Sequence, residues 1–278
     1  MPIIQISIEI TDEQKAEILS AYLLNNGYEG AYQENGFFYA FIDKDEFKEE
    51  KLSQILSSVD KTLKYKIEIQ ENKNWNKEWE TNYSAVKIKD CNIRADFHPM
   101  DKTAKYEILI NPKMSFGTAH HETTALMIEA LLEMDLKAKD VMDMGCGTGV
   151  LAILAAKKAA KTIDAVDNDN WAFENTKENV QLNKENVNIY LDDVSFLKKE
   201  KQENHYDVFI ANINRNILLR DIKEYVSYIK PGGELLLSGF YEKDLNSIKQ
   251  EAENNSLGYI SNAVKKSWVV ARFKKENK

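Results

Sequence analysis

At 278 residues the chain exceeds the usual size of a single domain, so two domains, or one large domain with an addition, are expected. Its 37 basic residues against 45 acids leave a formal charge of −8, which argues against general affinity for phosphate backbones and leaves room for attraction to a basic partner. Two isolated cysteines, Cys91 and Cys146, make no disulfide framework. With no signal peptide and no apolar run of about 18 residues either, a soluble cytoplasmic protein without membrane association is expected.

Ile4, Ile6, Ile8 and Ile10 alternate with polar residues, the pattern of a half-buried strand. Thr11-Asp12-Glu13-Gln14 then reads as a capping box, opening a helix with Ile18, Leu19, Tyr22 and Leu23 as its apolar positions. Asn35-Gly36, between Gly30-Ala31-Tyr32 and Phe37 to Phe41, is the preferred dipeptide of a tight hairpin. Leu52, Ile55, Leu56 and Val59 recur at helical spacing, and Leu63, Tyr65, Ile67 and Ile69 alternate again. The order β-α-β-β-α-β makes residues 1–70 a small α+β, ferredoxin-like domain. Its aromatic stretch Phe37-Phe38-Tyr39-Ala40-Phe41 is faintly similar to an RNA-recognition strand. Residues 1–70, however, hold seven lysines and no arginine against thirteen acids, the wrong sign for phosphate. Docking of a basic protein surface is expected instead, with simple core packing of the rings as the alternative.

In residues 71–83, Trp75, Trp79 and Tyr83 stand four apart and share one face of an expected linker helix. From residue 84 to 278 apolar strands, at 141–145, 162–167, 187–191, 206–211 and 233–238, alternate with helical patterns, as in a doubly wound, Rossmann-like α/β domain. Tyr259 to Val264 and Trp268 to Phe273 leave no room for a crossover helix between them, so a closing antiparallel hairpin is expected.

The strand at 141 runs into Gly145-Cys146-Gly147-Thr148-Gly149 and then into a helix-forming Leu151 to Ala156. Glycines there let a small molecule approach main-chain N–H groups at a helix start. A dinucleotide fingerprint would require a third glycine at Val150, so the pyrophosphate reading weakens. The next strand ends on Asp167, 22 residues beyond Gly145, where a carboxylate can hold a ribose diol. An adenosine without phosphates fits best, and Asp143 to Gly149 with Asp167 resembles the cofactor site of the class I S-adenosylmethionine-dependent methyltransferases.

Asn111 to Leu126 reads as a loop entering a helix, and its Phe116-Gly117-Thr118-Ala119-His120-His121-Glu122-Thr123-Thr124 is similar to a stretch of the ribosomal-protein L-eleven methyltransferases. Ala119 stands where that stretch has glycine, and alanine does not take positive φ freely. The resemblance also takes in the acidic front domain, the tryptophan-bearing linker, Ala211-Asn212-Ile213 and Pro231-Gly232-Gly233, so it spans nearly the whole chain. It implies S-adenosylmethionine as cofactor, held by Thr124, Gly145, Gly147, Asp167 and Asn212, with Asn212 beside the methyl group as the catalytic candidate. It further implies repeated methylation of lysine side chains, and of an N-terminal amine, on a basic large-subunit ribosomal protein. No direct nucleic-acid requirement is expected, and the sequence predicts no particular oligomeric state.

Plainer readings stand beside these. Thr124 also fits a first-turn helix residue and Asn212 a strand-end turn former. Asp193 serves equally as an adenine contact or as the cap of a turn. His120 and His121 are adjacent, point apart and lack further ligands at useful spacing, so no metal site is expected. Asn212-Ile213-Asn214-Arg215 lacks the prolines and aromatic of the Asn-Pro-Pro-Tyr methyltransferases, which act on nucleobases or glutamine amides, and a cofactor-binding adaptor without turnover remains a further alternative.

Overall fold

The computed structural model describes residues 3–276 apart from Thr11, Asn25, Glu29, Asn35 and the stretches 71–83 and 112–116. The expected linker helix therefore lies outside the described residues. The chain divides into two compact units, Met1–Tyr83 and Ser84–Lys278.

In the first unit, β1 (Ile3–Glu9), β2 (Gly30–Glu34), β3 (Phe37–Asp43) and β4 (Tyr65–Gln70) form an antiparallel sheet in the order β2-β3-β1-β4. With α1 (Glu13–Leu24) and α2 (Glu49–Val59) this is the ferredoxin-like arrangement. Period-two alternation turns Ile4, Ile6 and Ile8 of β1 and Phe38, Ala40 and Ile42 of β3 into one core with Leu19, Leu23, Leu52 and Leu56. The helix face differs from the expected one. Leu19 and Leu23 are buried, whereas Ile18 and Tyr22 are about half exposed, at 50% and 48%. The cap also lies one residue later than the capping box required: Asp12 accepts a hydrogen bond from the Lys15 amide at 3.1 Å. Thr11 is outside the described residues.

The second unit carries a seven-stranded sheet in the order β10-β9-β8-β11-β12-β14-β13. Its strands are β8 (Asp140–Met144), β9 (Thr162–Asp167), β10 (Asn188–Leu191), β11 (Tyr206–Asn212), β12 (Ile229–Tyr241), β13 (Leu257–Lys265) and β14 (Trp268–Lys275). The first five in spatial order are parallel, and β14 and β13 close the sheet antiparallel. Strand β12 is longer than the expected 233–238. Tyr206 pairs with Ile229 but Val208 with Glu234, so the intervening residues bulge from the ladder and Pro231 is not required to donate within it.

One face of this sheet packs Val141, Ile210 and Leu236 against helices α3 (Glu122–Glu133) and α4 (Val150–Lys157). The other packs Met142, Phe209 and Leu235 against α7 (Arg215–Tyr228) and α8 (Leu245–Asn254). Helices α5 (Asn170–Asn183) and α6 (Ser195–Glu200) complete the crossovers. Strand order reverses between β8 and β11, which opens a crevice at their carboxyl ends.

A second, three-stranded sheet of β5 (Val86–Ile88), β6 (Cys91–Arg94) and β7 (Tyr106–Leu109) has no counterpart in the sequence reading. Strands of three and four residues are too short to show a period. Helix α5 ties this sheet to the larger one through asparagines one turn apart. Asn183 Nδ2 donates to the Leu109 carbonyl at 2.6 Å, the Asn111 amide donates to Asn179 Oδ1 at 2.7 Å, and Asn179 Nδ2 donates to the Thr148 carbonyl at 2.9 Å. Among the described residues no helix is long and apolar enough to cross a membrane.

Candidate active site

Strand β8 is buried along its length and delivers the chain into the glycine turn at the crevice. Gly145 has φ +73°, and a Cβ on it would lie 2.4 Å from Ile213 Cγ2. Ile213 follows Asn212 at the end of β11 and is clamped from its other side as well, since a Cβ on Gly239 would lie 2.1 Å from the Ile213 carbonyl oxygen. The glycine turn and the Asn212 turn thus interlock through one isoleucine, and only residues without side chains permit the approach.

Asp167 ends β9 beside this turn. Its Oδ2 accepts from the Gly147 amide at 2.9 Å and its Oδ1 from the Asp169 amide at 3.0 Å. Thr176 Oγ1 donates to the Gly147 carbonyl at 2.7 Å, and Thr148 Oγ1 donates to the Gly117 carbonyl at 2.7 Å, so the loop before α3 is fastened to the glycine turn. Asp143 lies beneath, 1% exposed, accepting from the Ala152 amide at 3.1 Å, while its Oδ1 has no partner. Burial, with a further contribution from the charge of Asp167, pushes the Asp143 carboxyl up to about 7. Burial likewise holds the Cys146 thiol protonated, as suits a small loop residue rather than a nucleophile.

Helix α3 begins at the same place. His121 is its N-cap, accepting from the Thr123 amide at 3.3 Å, and Thr124 is fully buried in the first turn. Asn212 Nδ2 reaches Thr124 Oγ1 at 3.4 Å, and Asn212 Oδ1 is buried with no hydrogen-bond partner. The two histidines diverge, as their adjacency requires. His120 Nε2 lies 3.0 Å from the Ser84 carbonyl, whereas the His121 ring meets the Trp268 ring edge-on with centroids 4.8 Å apart. Ala119 is buried and holds φ +66°, so alanine here carries the left-handed backbone that glycine adopts without strain. Residues 112–116 of this loop, including Phe116, are outside the described part.

Thr124, Gly145, Gly147, Asp167 and Asn212 come from four separate segments, and all line one cleft of about 540 Å³. The volume is that of a pocket for a nucleoside-sized ligand. Asp193 lies apart from it. It caps the turn into α6 through the Ser195 amide at 2.8 Å and lines an adjoining pocket of about 80 Å³, which shares Gly145 and Asp167 with the cleft. The cleft also contains His121, Trp268 and Gly239, which sequence reasoning did not assign to a site. The pairing of β12 with β11, which sets Ser238 opposite Asn212, brings Gly239 to it, and the pairing of β14 with β12 brings Trp268.

The sequence profile of the family described as Ribosomal protein L11 methyltransferase (PrmA) matches residues 4–276. The chain belongs to that family. A ribosomal protein L11 methyltransferase of Phocaeicola vulgatus is 41% identical over 268 residues, covering 94% of each chain. One from Chlorobaculum tepidum is 32% identical and covers 99% of this chain and 97% of its own. Among solved structures, a ribosomal protein L11 methylase from Lactobacillus delbrueckii subsp. bulgaricus superposes with a TM-score of 0.62 at 26% identity, over 70% of this chain and all of that one. A methyltransferase from Pyrococcus furiosus, at 17% identity and a TM-score of 0.50, shares the fold. As a member of the L11 methyltransferase family the protein is an S-adenosylmethionine-dependent methyltransferase. The cleft fits that cofactor: a glycine turn at the end of β8 with an exposed-backbone approach, flanked by a carboxylate at the end of β9 and by the unpartnered Asn212 Oδ1 at the end of β11.

Proposed function

We propose that the protein methylates lysine ε-amines, and an N-terminal amine, of the basic large-subunit ribosomal protein for which its relatives are named, with Asn212 as the residue that orients the amine. The observation that carries this reading is the convergence of Thr124, the glycine turn, Asp167 and Asn212 on one cleft, with a buried acceptor on Asn212 left without a partner. Asp167 holds the ribose diol, the Gly145 and Gly147 backbone lies along the nucleoside, and Thr124 stands at the methionine part, next to Asn212.

Bound there, S-adenosylmethionine supplies a methyl group already activated on a sulfonium, so the protein has to present a neutral nitrogen in line rather than furnish a strong acid or base. A lysine with pKa near 10.4 becomes neutral at pH 7 at a cost of about 4.6 kcal/mol, taking about 1.36 kcal/mol per unit. Alignment in well-oriented intramolecular reactions contributes about 7–11 kcal/mol, enough to offset that cost. A carboxylate against the amine would hold its proton on. The Asn212 carbonyl instead accepts from an N–H of the neutral amine and aims the lone pair without a full charge.

The front domain, with seven lysines and no arginine against thirteen acids in residues 1–70, draws a basic protein at longer range. The same charge supports a protein substrate rather than nucleic acid. Incubation with methyl-labelled cofactor and the purified ribosomal protein tests the proposal. Label should enter the protein at lysines located by mass spectrometry; label that enters only ribosomal RNA, or none above background, overturns it.

A further inference from the structure

Strand β14 runs antiparallel to β12 in a register that sets Trp268 opposite Tyr241. Their rings touch at a tilt, with centroids 4.0 Å apart and planes 31° from parallel, and the His121 ring meets Trp268 at 4.8 Å and 68°. Three aromatic side chains from three segments therefore form a continuous row. Its inner end, His121 and Trp268, lines the cleft with Asn212. Its outer end, Tyr241, is 43% exposed and borders a surface pocket of about 460 Å³ with Glu242, Lys243 and Ser267. An ammonium already sits on this row: Lys243 Nζ lies 5.7 Å from the Tyr241 centroid, within cation–π range.

The row answers a problem that Asn212 cannot. A carbonyl acceptor orients an amine only through an N–H, and each methyl group added removes one. Neutral dimethyllysine has none left, so a further transfer to it must be aligned by something other than a hydrogen bond. A methylated ammonium is also larger and more weakly hydrated, and a quaternary ammonium is the cation that aromatic faces recognise best.

Resting on the methyltransferase reading above, we propose that Trp268, backed by Tyr241 and His121, forms an aromatic wall that binds the methylated amine head. It thereby favours the later transfers, because positive charge develops on the nitrogen as its bond to the methyl carbon forms and the carbon–sulfur bond breaks, and the aromatic face stabilises that charge. Asn212 governs the first transfer and Trp268 the last.

The test is binding without turnover, in the full-length protein saturated with S-adenosylhomocysteine. Ligand-observed NMR titration compares acetyl-trimethyllysine methylamide with its carbon isostere, in which a tert-butyl carbon replaces the quaternary nitrogen. The two differ in charge and not in shape, so a merely structural tryptophan would not separate them. The wild type should favour the ammonium by roughly 3- to 30-fold, and Trp268→Leu should bind the two alike. Equal binding by the wild type, or an undiminished preference in Trp268→Leu, overturns the proposal. If the leucine variant binds neither ligand, Trp268→Phe decides. A retained preference there supports the wall, and its absence overturns it. Because no methyl group is transferred, failure here is distinct from failure to label the ribosomal protein.

Discussion

Asn212 and Thr124, 88 residues apart, meet at 3.4 Å through the asparagine amide nitrogen, which leaves the asparagine carbonyl buried and unpartnered beside the cleft. A hydroxyl that holds one end of the amide fixes which end faces the reacting nitrogen. Asn212→Ala should lower kcat by roughly 100-fold, the scale set by removal of one oriented polar group from a reaction centre. Asn212→Asp is more informative. A carboxylate in that place stabilises the protonated amine, so the pH at which the rate reaches half its plateau should move upward. Steady-state rates with the ribosomal protein from pH 6 to 10 check both, and an unmoved profile in Asn212→Asp contradicts the role.

Ile213 is held between Gly145 and Gly239, with no space for a methyl group on either. Gly239→Ala would drive a Cβ into the Ile213 backbone and displace the turn that begins with Asn212. Overpacking of this kind costs about 1–3 kcal/mol, and a displaced Asn212 should lower kcat about tenfold or more. Urea unfolding alongside initial rates measures the two effects. Ile213→Ala should restore little stability in the Gly239→Ala background, where the new methyl group meets the Ile213 backbone, but part of it in a Gly145→Ala background, where the methyl group meets Ile213 Cγ2.

What the sequence could and could not reveal follows from the range of each signal. Alternating isoleucines and the Gly145 to Gly149 turn are local, so the front sheet, the parallel strands and the glycine turn were legible, and Thr124, Gly145, Gly147, Asp167 and Asn212 could be named. The β5 to β7 sheet was not, because its strands offer three or four residues each. Its attachment depends on Asn175, Asn179 and Asn183, which look like ordinary polar positions of α5 until the backbone they pair with is brought alongside. Trp268, Tyr241 and His121 belong to one wall only because β14 returns antiparallel to β12, and no spacing in the sequence encodes that register. The buried face of α1 is narrower than its apolar pattern for a related reason. Ile18 and Leu19 are equally apolar, and only the sheet decides which is covered.

Ala119 holds φ +66° while buried, a conformation that costs an L-residue about 1–2 kcal/mol. Ala119→Gly relieves that strain but adds about 0.4–1 kcal/mol of unfolded-chain entropy to be lost on folding. The net expectation is a gain of about 0.5–1 kcal/mol, or roughly 2 °C in Tm. Calorimetry checks it, and an unchanged or lower Tm would show that the loop relaxes around alanine.

Asp143 couples this site to pH. Its carboxyl is buried, one oxygen accepts from Ala152 and the other has no partner, and its folded-state value stands at about 7, well above the 3.8 of an ordinary aspartate. Between those values the folded protein holds a proton that the unfolded chain has released. The contribution is therefore fully present below about pH 4 and is lost as pH rises through 7. Asp143→Asn keeps an acceptor for Ala152 and cannot ionise, so its stability relative to the wild type should grow from pH 4 to pH 8. The full excursion is of order 4 kcal/mol, at about 1.36 kcal/mol per unit. Urea midpoints of both proteins at pH 5 and pH 8 sample about 2–3 kcal/mol of it, and a difference that stays constant between those pH values would mean that Asp143 is ionised throughout.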